Sequence, residues 1–590
     1  MKFSQAFPAV VAVLAVLCVL FLFASCGDDT HDASPDAGAD ADTDADTDTD
    51  TDTDSDTDTD TDTDSDSDTD TDADTDLDAG TDSGDPEYPD GGAELPAMSL
   101  YESACGGADE APTCLYFVDA DAVADGGISG DGLSWATAFG TVQEGINAAF
   151  AALGGNLDAG AGDASTGEAR CHVWVAEGTY YPTEGASGDV LPADPATVTI
   201  SLREGVYLYG GFDGTETACD QRDIAAHETN LSGDIGVADD KSDNAYHVVT
   251  GADEAVLDGF TVRRGGIVVG TGLPWEAVLR MDGSAMLNDG TSPTIAHCLF
   301  VDNYVDIDGE GNTCAALSNR AGSSPLVYDC EFRGNVGAVK NAGAETRPLF
   351  YGCTFEGNST GICGGDECPG GGAIVDSYSP SIVVNSRFIS NTANHGGAIS
   401  CSDASMTIIN SVFIDNSAWG WDAGGAIAII RASPDVINCT FEGNTDGNIG
   451  SGSGAAISVY GASHPTIIDS VLTGDAPQIG VGYTDFHKSA PTCSAYASDI
   501  WTGDEVGCAG TGNLDADPLF VNADTDLGEI DLRLQAGSPC VDTGATSLLP
   551  NDFLDLDSDG DTDEPLPLDL DGNPRVVGAA VDMGAYEFQP

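Results

Sequence analysis

Between Pro293 and Asp475 the chain repeats one short phrase: Pro, an apolar pair, Cys or Ser, one residue, Phe, two residues, Asn. It reads Pro293-Thr-Ile…Cys298-Leu-Phe300-Val-Asp-Asn303, then Pro325-Leu-Val…Cys330-Glu-Phe332-Arg-Gly-Asn335, then Pro348-Leu-Phe…Cys353-Thr-Phe355-Glu-Gly-Asn358. Further copies carry Phe388 with Asn391, Phe413 with Asn416 and Phe441 with Asn444, and a last one decays to Leu472 and Asp475. A second phrase alternates with the first: Gly371-Gly-Ala-Ile374, Gly396-Gly-Ala-Ile399, Gly424-Gly-Ala-Ile427 and Gly454-Ala-Ala-Ile457. The Phe anchors recur every ~23–33 residues, the spacing of units that bury their apolar faces only by stacking on neighbours. A helical repeat does not fit, because Cys or Ser and Phe stand at i and i+2 with polar residues around them, the period of a strand. Pro at the start and Gly or Asn at the end put turn chemistry at the strand ends.

Each unit is therefore a coil of two or three short parallel strands. Stacked coils put the Phe residues in an interior column. Asn303, Asn335, Asn358, Asn391, Asn416 and Asn444 then form a ladder at one turn, bonded to backbone and to each other. Ligand binding by these asparagines is the competing reading, and their fixed place in the phrase favours the structural one. The Gly-Gly-Ala-Ile phrase reads as a tight turn feeding a small-residue strand.

The paired phrases resemble the repeats of the polymorphic outer-membrane protein family, and the whole resembles right-handed parallel β-helix proteins of the pectin lyase-like fold. The resemblance implies an all-β, surface-exposed solenoid with adhesion as the usual role. Since this fold hosts many functions, the role rests on the site and not on the fold.

Met1-Lys2, an apolar run from about Ala9 to Phe23 and the small residues Ala24-Ser25 make an export signal, too short to be a spanning helix. Leu22-Phe-Ala-Ser-Cys26 resembles a bacterial lipobox, with Phe23 where Leu is usual; the resemblance implies that Cys26 carries lipid. A plain secretory signal is the alternative. Gly27 after the cysteine implies, by resemblance to known sorting rules, the outer membrane. Residues 27–97 hold a run of Asp alternating with Thr, Ser and Ala, including Asp42 to Asp78, which cannot bury a core and repels itself, so a disordered, extended stalk is expected.

The net charge of −84 comes from 101 acidic against 17 basic residues, and the stalk accounts for only part of it. A body this acidic makes nucleic acid and anionic membrane surfaces poor partners, so no nucleic-acid partner is expected, and the only membrane attachment expected is the lipid anchor that the lipobox resemblance implies. It suits solubility, a salty medium or divalent cations.

Folded sequence begins near Leu115. Thr141-Val-Gln-Glu144 has the form of a capping box, and Val142, Ile146, Phe150 and Leu153 line one face of the helix it opens. Such a helix before the first coil is placed to close the open end of the core. Ser134 to Phe139, Val173 to Tyr180 and Val206 to Phe212 are similar to the opening coils of pectin lyase-like proteins. After the repeats, Asn513 to Phe520, Leu532-Arg-Leu534, Gly537-Ser-Pro539, Asp569 to Arg575 and Val581 to Glu587 resemble the "choice-of-anchor Q" segment of β-helix surface proteins, which implies a cover over the far end. The expected domains are 1–26 signal, 27–97 linker, 98–235 N-terminal cap and first coils, 236–480 β-helix repeats and 481–590 C-terminal cap.

Of the 17 cysteines, Cys18 leaves with the signal and Cys26 is the expected lipid carrier, and export puts the others in an oxidising compartment. Cys363 with Cys368, Cys105 with Cys114 and Cys493 with Cys508 are local pairs in loop-like sequence, and bridges are expected there. Cys298, Cys330, Cys353 and Cys439 share the Phe face and alternate with Ser386, Ser411 and Ser470, as small interior thiols do. No Cys-x-x-Cys pairs or His clusters point to zinc.

Asp555, Asp557, Asp559, Asp561 and Asp563 stand at positions 1, 3, 5, 7 and 9 of an EF-hand-like loop with Gly560 at position 6. Position 12 is Leu566 instead of Glu, so the loop is either a calcium site, with Asp569 or Asp571 as the missing ligand, or a solvated acidic turn. No other cofactor is indicated. Of the phrases that mark hydrolases with this fold, Gly-His-Gly and Arg-x-Lys do not occur, and Asn-x-Asp occurs without them, as at Asn444-Thr-Asp446 and Asn513-Leu-Asp515; hydrolysis needs clustered acid and base groups. Arg263, Arg264, Lys340 and Arg431 are the few cations that a calcium-assisted lyase could use, and they read as isolated surface charges; His395 reads as a turn residue. The sequence thus favours an adhesin or glycan-contacting scaffold, ahead of a polysaccharide lyase or hydrolase and of a passive surface-layer component.

Overall fold

The computed structural model describes residues 112–590 apart from 124–129, 156–168, 186–187, 189, 191, 267, 270–281, 305, 308–314, 361–369, 421–422, 448–453, 475–476, 483–490, 502–507 and 524–529. The leader, Cys26, the acidic linker, Cys105, Cys363 and Cys368 lie outside the described residues. The described residues belong to one compact unit, Asp90–Pro590. None of its described helices is long and apolar enough to cross a membrane.

Three long sheets make the body. Sheet 1 has 12 strands, from Cys114–Val118 to Ser494–Tyr496, all parallel. Sheet 2 has 11, from Gly178–Tyr180 to Asp499–Trp501, and sheet 3 has 11, ending in Ile457–Tyr460 and Ile479–Gly482. Sheet 3 is parallel except where Glu184–Gly185 meets Val198–Ser201. Each coil visits the sheets in turn: Leu349–Tyr351 in sheet 1, Thr354–Glu356 in sheet 2, then Ile374–Ser377 in sheet 3.

Like residues stack on like because the register is kept from coil to coil. Phe300 pairs with Phe332, Phe332 with Phe355, Phe355 with Phe388, Phe388 with Phe413 and Phe413 with Phe441. Their rings lie parallel with centroids 4.5 to 4.9 Å apart, fully buried. Burying each such ring is worth about 1.5–3 kcal/mol. Cys298, Cys330, Cys353 and Cys439 are free, buried thiols in this core. Their position also accepts hydrogen bonds: the Cys353 amide donates to Ser386 Oγ at 3.2 Å and the Ser386 amide to Ser411 Oγ at 3.1 Å.

The turn from sheet 1 to sheet 2 is a single left-handed residue, seen at Asp329, Asn385, Asn410, Asn438 and Asp469 with φ between 47° and 52°. Asn and Asp tolerate that conformation better than other side chains. The Gly-Gly-Ala-Ile phrase crosses into sheet 3 through bridges from Gly371 to Gly396, Gly396 to Gly424 and Gly424 to Gly454. A Cβ on Gly396 or Gly424 would collide with the carbonyl of Ile399 or Ile427, so the phrase needs glycine there.

At the N-terminal end, helix α1 (Val142–Ala152) carries both bonds of the Thr141–Glu144 capping box. Val142, Ile146 and Ala149 are buried, with Phe150 and Leu153 half-buried beside them, against the strands Cys114–Val118 and Cys171–Ala176. Cys114 is bonded to Cys171, its register partner on the next strand, with Cα atoms 4.7 Å apart. This corrects the expected Cys105–Cys114 pairing: parallel coils bring together cysteines that are far apart in sequence. The Cys493–Cys508 bridge is present, with Cα atoms 4.4 Å apart.

The C-terminal segment covers the last coils through Phe520, Leu534, Cys540 and Met583, packed with Val471 and Ala497. It also runs back along the flank. Leu554 and Leu566 join the outer stripe of sheet 1 that includes Ile409, Ile437 and Ile468, and Asn410 Nδ2 donates to the Leu568 carbonyl at 2.7 Å. Arg575, fully buried, ties the segment together by donating to the Asp582 and Gly584 carbonyls at 2.9 and 2.6 Å.

Candidate functional site

The predicted asparagine set lies in one buried ladder. Each side-chain amide donates to Oδ1 of the asparagine in the next coil, from Asn303 to Asn335, Asn358, Asn391, Asn416 and Asn444, at 3.0 or 3.1 Å. The same amides donate to the carbonyl of an earlier coil's Phe, as Asn391 does to Phe355 at 2.9 Å. These groups are spent on one another, and none faces outward.

A second ladder went unpredicted. In sheet 3, Asn288 Nδ2 donates to Asn319 Oδ1 and Asn319 Nδ2 to Asn341 Oδ1, both at 2.8 Å, and Asn341 Nδ2 donates to Asp376 Oδ1 at 2.7 Å. The signal was an Asn or Asp three places after the strand's Ala, as in Ala316-Leu-Ser-Asn319 and Ala338-Val-Lys-Asn341. Burial pushes the Asp376 carboxyl up to about 7, although Asn341 and Ser381 donate to it.

The edge that follows sheet 2 is different, because there coils differ in length. The path from the ladder asparagine to sheet 3 is short from Asn335 to Val339 and long from Asn303 to Leu317, Asn358 to Ile374 and Asn444 to Ile457. Within the repeats the rest of each coil hardly varies, as Val339 to Asn358, Ile374 to Asn391 and Ile399 to Asn416 show, whereas outside them the connections from Phe212 to Thr229 and from Gly482 to Ser494 are long on the other edges. On this edge lies a cavity of about 360 Å³. Asp234, Asp239, Lys241 and Asn244 reach it from the loop after strand Thr229–Ser232, Arg264 from the end of Thr261–Arg263, and Asp302 and Tyr304 from just after Leu299–Val301.

The cavity's charges are held in place. Arg264 Nη1 pairs with Asp234 at 2.6 Å and with Asp239 at 2.8 Å, and the Asp234 hydrogen bond holds its guanidinium above the ordinary value. Lys241 Nζ sits 4.0 Å from the centroid of the Tyr304 ring, and Asn244 Nδ2 donates to the Tyr304 hydroxyl at 3.0 Å. Asn244 is 2% exposed, yet its Oδ1 has no hydrogen-bond partner. Carboxylate acceptors, cationic donors and an amide around an open cavity of this size suit a small polyhydroxyl group.

The other cations predicted as isolated charges are paired as well. Arg263 meets Asp302 at 3.6 Å, Lys340 meets Asp282 at 2.9 Å and Arg431 grips Asp403 with two hydrogen bonds, at 2.7 and 2.6 Å. Arginine and lysine on so acidic a body find carboxylates within reach. His395 stands in the glycine-bridge turn, where the Gly424 amide donates to its carbonyl.

On the outer face of sheet 1, Asp258 is buried between Arg222 at 2.6 Å and His297 Nδ1 at 3.0 Å. Burial alone would push its carboxyl up, but His297 and Arg222 outweigh that and hold it below the ordinary value. Of the acidic-loop residues, Asp555, Asp557 and Asp559 bring carboxylate oxygens within 4.8 Å of one another, while Asp561 and Asp563 join no such group among the described residues. Asp569 is buried and accepts from the Asn573 and Glu587 amides, and Asp571 pairs with Arg533, so both of the anticipated extra ligands are engaged elsewhere.

Residues 322–472 match the family described as right handed beta helix region. No curated protein matches the chain. Among solved structures, pectate lyase Pel9A is similar over 82% of this chain and 98% of its own, at 15% identity and a TM-score of 0.41. PfbA, a surface adhesin of Streptococcus pneumoniae, is similar over 66% of this chain and 81% of its own, at 12% identity and a TM-score of 0.27. A rhamnogalacturonan lyase is similar over 72% of this chain and 96% of its own, at 9% identity and a TM-score of 0.33. The stacked parallel sheets and the family match together define an all-β, right-handed parallel β-helix.

Proposed function

We propose that this chain is a lipid-anchored bacterial cell-surface protein that binds a glycan or another cell-surface ligand without cleaving it. The observation that carries this reading is that, within the repeats, coil-length variation is concentrated on the edge that also holds the Asp234–Arg264–Tyr304 cavity. Solenoids keep their stacking core constant and vary the loops of the face that meets a partner. Trp419, 43% exposed, follows strand Ser417–Ala418 on the same edge and offers a flat apolar surface of the kind that stacks on a sugar ring. The anchor rests on the sequence around Cys26, with the acidic linker as a stalk that holds the body away from the outer membrane.

The test is a glycan array and a cell-surface binding assay with the whole exported chain. Lys241→Ala and Arg264→Ala are expected to weaken retention by roughly tenfold, the loss of one or two charge-assisted contacts. Retention unchanged in both variants would remove the cavity from the account.

A second reading, cleavage of a polysaccharide, draws on the Arg222–Asp258–His297 cluster, where a buried carboxylate holds an imidazole Nδ1 as it does in general bases. Under that reading His297→Ala abolishes polymer shortening; under the first there is no shortening to abolish.

A further inference from the structure

The acidic run after Pro550 is closed at its neck. Asn551 bridges Pro565, the Asp552 amide donates to the Glu564 carbonyl at 2.7 Å, and the Leu566 amide donates to the Pro550 carbonyl at 2.8 Å. Leu554 and Leu566 are buried in the outer stripe of sheet 1, so both feet of the loop stand on the solenoid.

Between those feet Asp552, Asp557 and Glu564 each bring a carboxylate oxygen within 4.8 Å of the other two. Asp552 is 0% exposed. Its Oδ2 accepts from the Leu556 amide at 2.7 Å, whereas its Oδ1 and Glu564 Oε1 are buried with no hydrogen-bond partner. Orphaned carboxylate oxygens facing further carboxylates are strongly unfavourable unless a positive charge joins them.

We propose that Asp552, Asp557 and Glu564 bind one divalent cation, calcium by the chemistry of the set, which closes the neck of the 550–566 loop where Leu554 and Leu566 seat it on the flank of the solenoid. Calcium takes six to eight oxygens in irregular geometry, and the exposed side beside Asp557 leaves room for water and for Asp555 or Asp559. Magnesium demands near-ideal octahedral geometry, which a set anchored at a backbone-bonded neck does not offer. Two of the three ligands, Asp552 and Glu564, fall outside the alternating positions of the linear motif. The inference stands apart from the glycan-binding reading.

Calorimetric titration of the chelator-treated whole chain with calcium chloride tests it, alongside Asp552→Asn, Glu564→Gln and the pair Asp561→Asn/Asp563→Asn. The wild type is expected to show one saturable site above the weak, diffuse uptake of the acidic linker. That site weakens roughly tenfold or more in Asp552→Asn and in Glu564→Gln, and stays unchanged in the Asp561/Asp563 pair. Glu564 is only half-buried, so its variant keeps the test readable if Asp552→Asn folds poorly. Diffuse uptake alone in the wild type, equal affinity in Glu564→Gln, or loss confined to the Asp561/Asp563 pair would each overturn the proposal.

Discussion

Asn391 accepts from the Asn358 amide and side chain, and donates to the Phe355 carbonyl and to Asn416 Oδ1. Asp has the same shape and no donor, so Asn391→Asp breaks the two bonds that the residue donates and buries a charge. The expected cost is roughly 2–4 kcal/mol, read as a lower urea midpoint, and an unchanged midpoint would mean that the ladder does not hold the coils. Asp376 makes a pH prediction. Its carboxyl titrates near 4 in the unfolded chain and near 7 when folded, so the wild type loses stability as pH rises through that window, on the order of 4 kcal/mol in full. Asp376→Asn should remove that slope and be the more stable protein at pH 8; denaturation at pH 5 and pH 8 checks both. The first ladder was legible because its Asn has a fixed place in a phrase that also contains Phe. The second was not, because three of its four coils, ending in Asn288, Asn319 and Asn341, lack the Gly-Gly-Ala-Ile phrase that marks sheet 3 elsewhere.

At the level of elements, the Phe column belongs to sheet 2 and binds coil to coil. Phe388 lies between Phe355 and Phe413 at centroid distances of 4.8 and 4.6 Å, so Phe388→Ala opens a hole against both neighbours. About 3–5 kcal/mol is expected for Ala and less for Leu, which fills most of the space, measured by thermal or chemical unfolding. Helix α1 was readable to its cap, since a capping box and an apolar face are local signals. The Cys114–Cys171 bond was not, because its partners are 57 residues apart and meet only through coil register. The candidate cavity escaped for the same reason: Asp234, Arg264 and Tyr304 come from three successive coils and share no motif. The alternating acids of the loop leave a linear calcium motif and a solvated acidic turn both open, whereas the fold groups Asp555, Asp557 and Asp559 along the run and also Asp557 with Asp552 and Glu564 across the loop's neck.

The described part of the unit Asp90–Pro590 is a stack of coils whose repeats vary in length along one edge, closed by α1 at one end and by a segment that packs on the last coils and part of the flank. Arg575 holds that segment with Asp569, Asp582 and Glu587 near it, and its loss strands buried carboxylates. Arg575→Met is therefore expected to loosen the segment before the solenoid melts, seen as faster proteolysis after residue 513 while the sheets keep their circular dichroism. The central claim is binding without cleavage. The most direct measurement incubates the whole exported chain, with calcium, against neutral and acidic polysaccharides and follows polymer size by chromatography. Polymers of unchanged length that co-elute with the protein, and cease to do so in Arg264→Ala, are the predicted result. Shortened polymers, with shortening lost in His297→Ala, would contradict it and make the protein an enzyme.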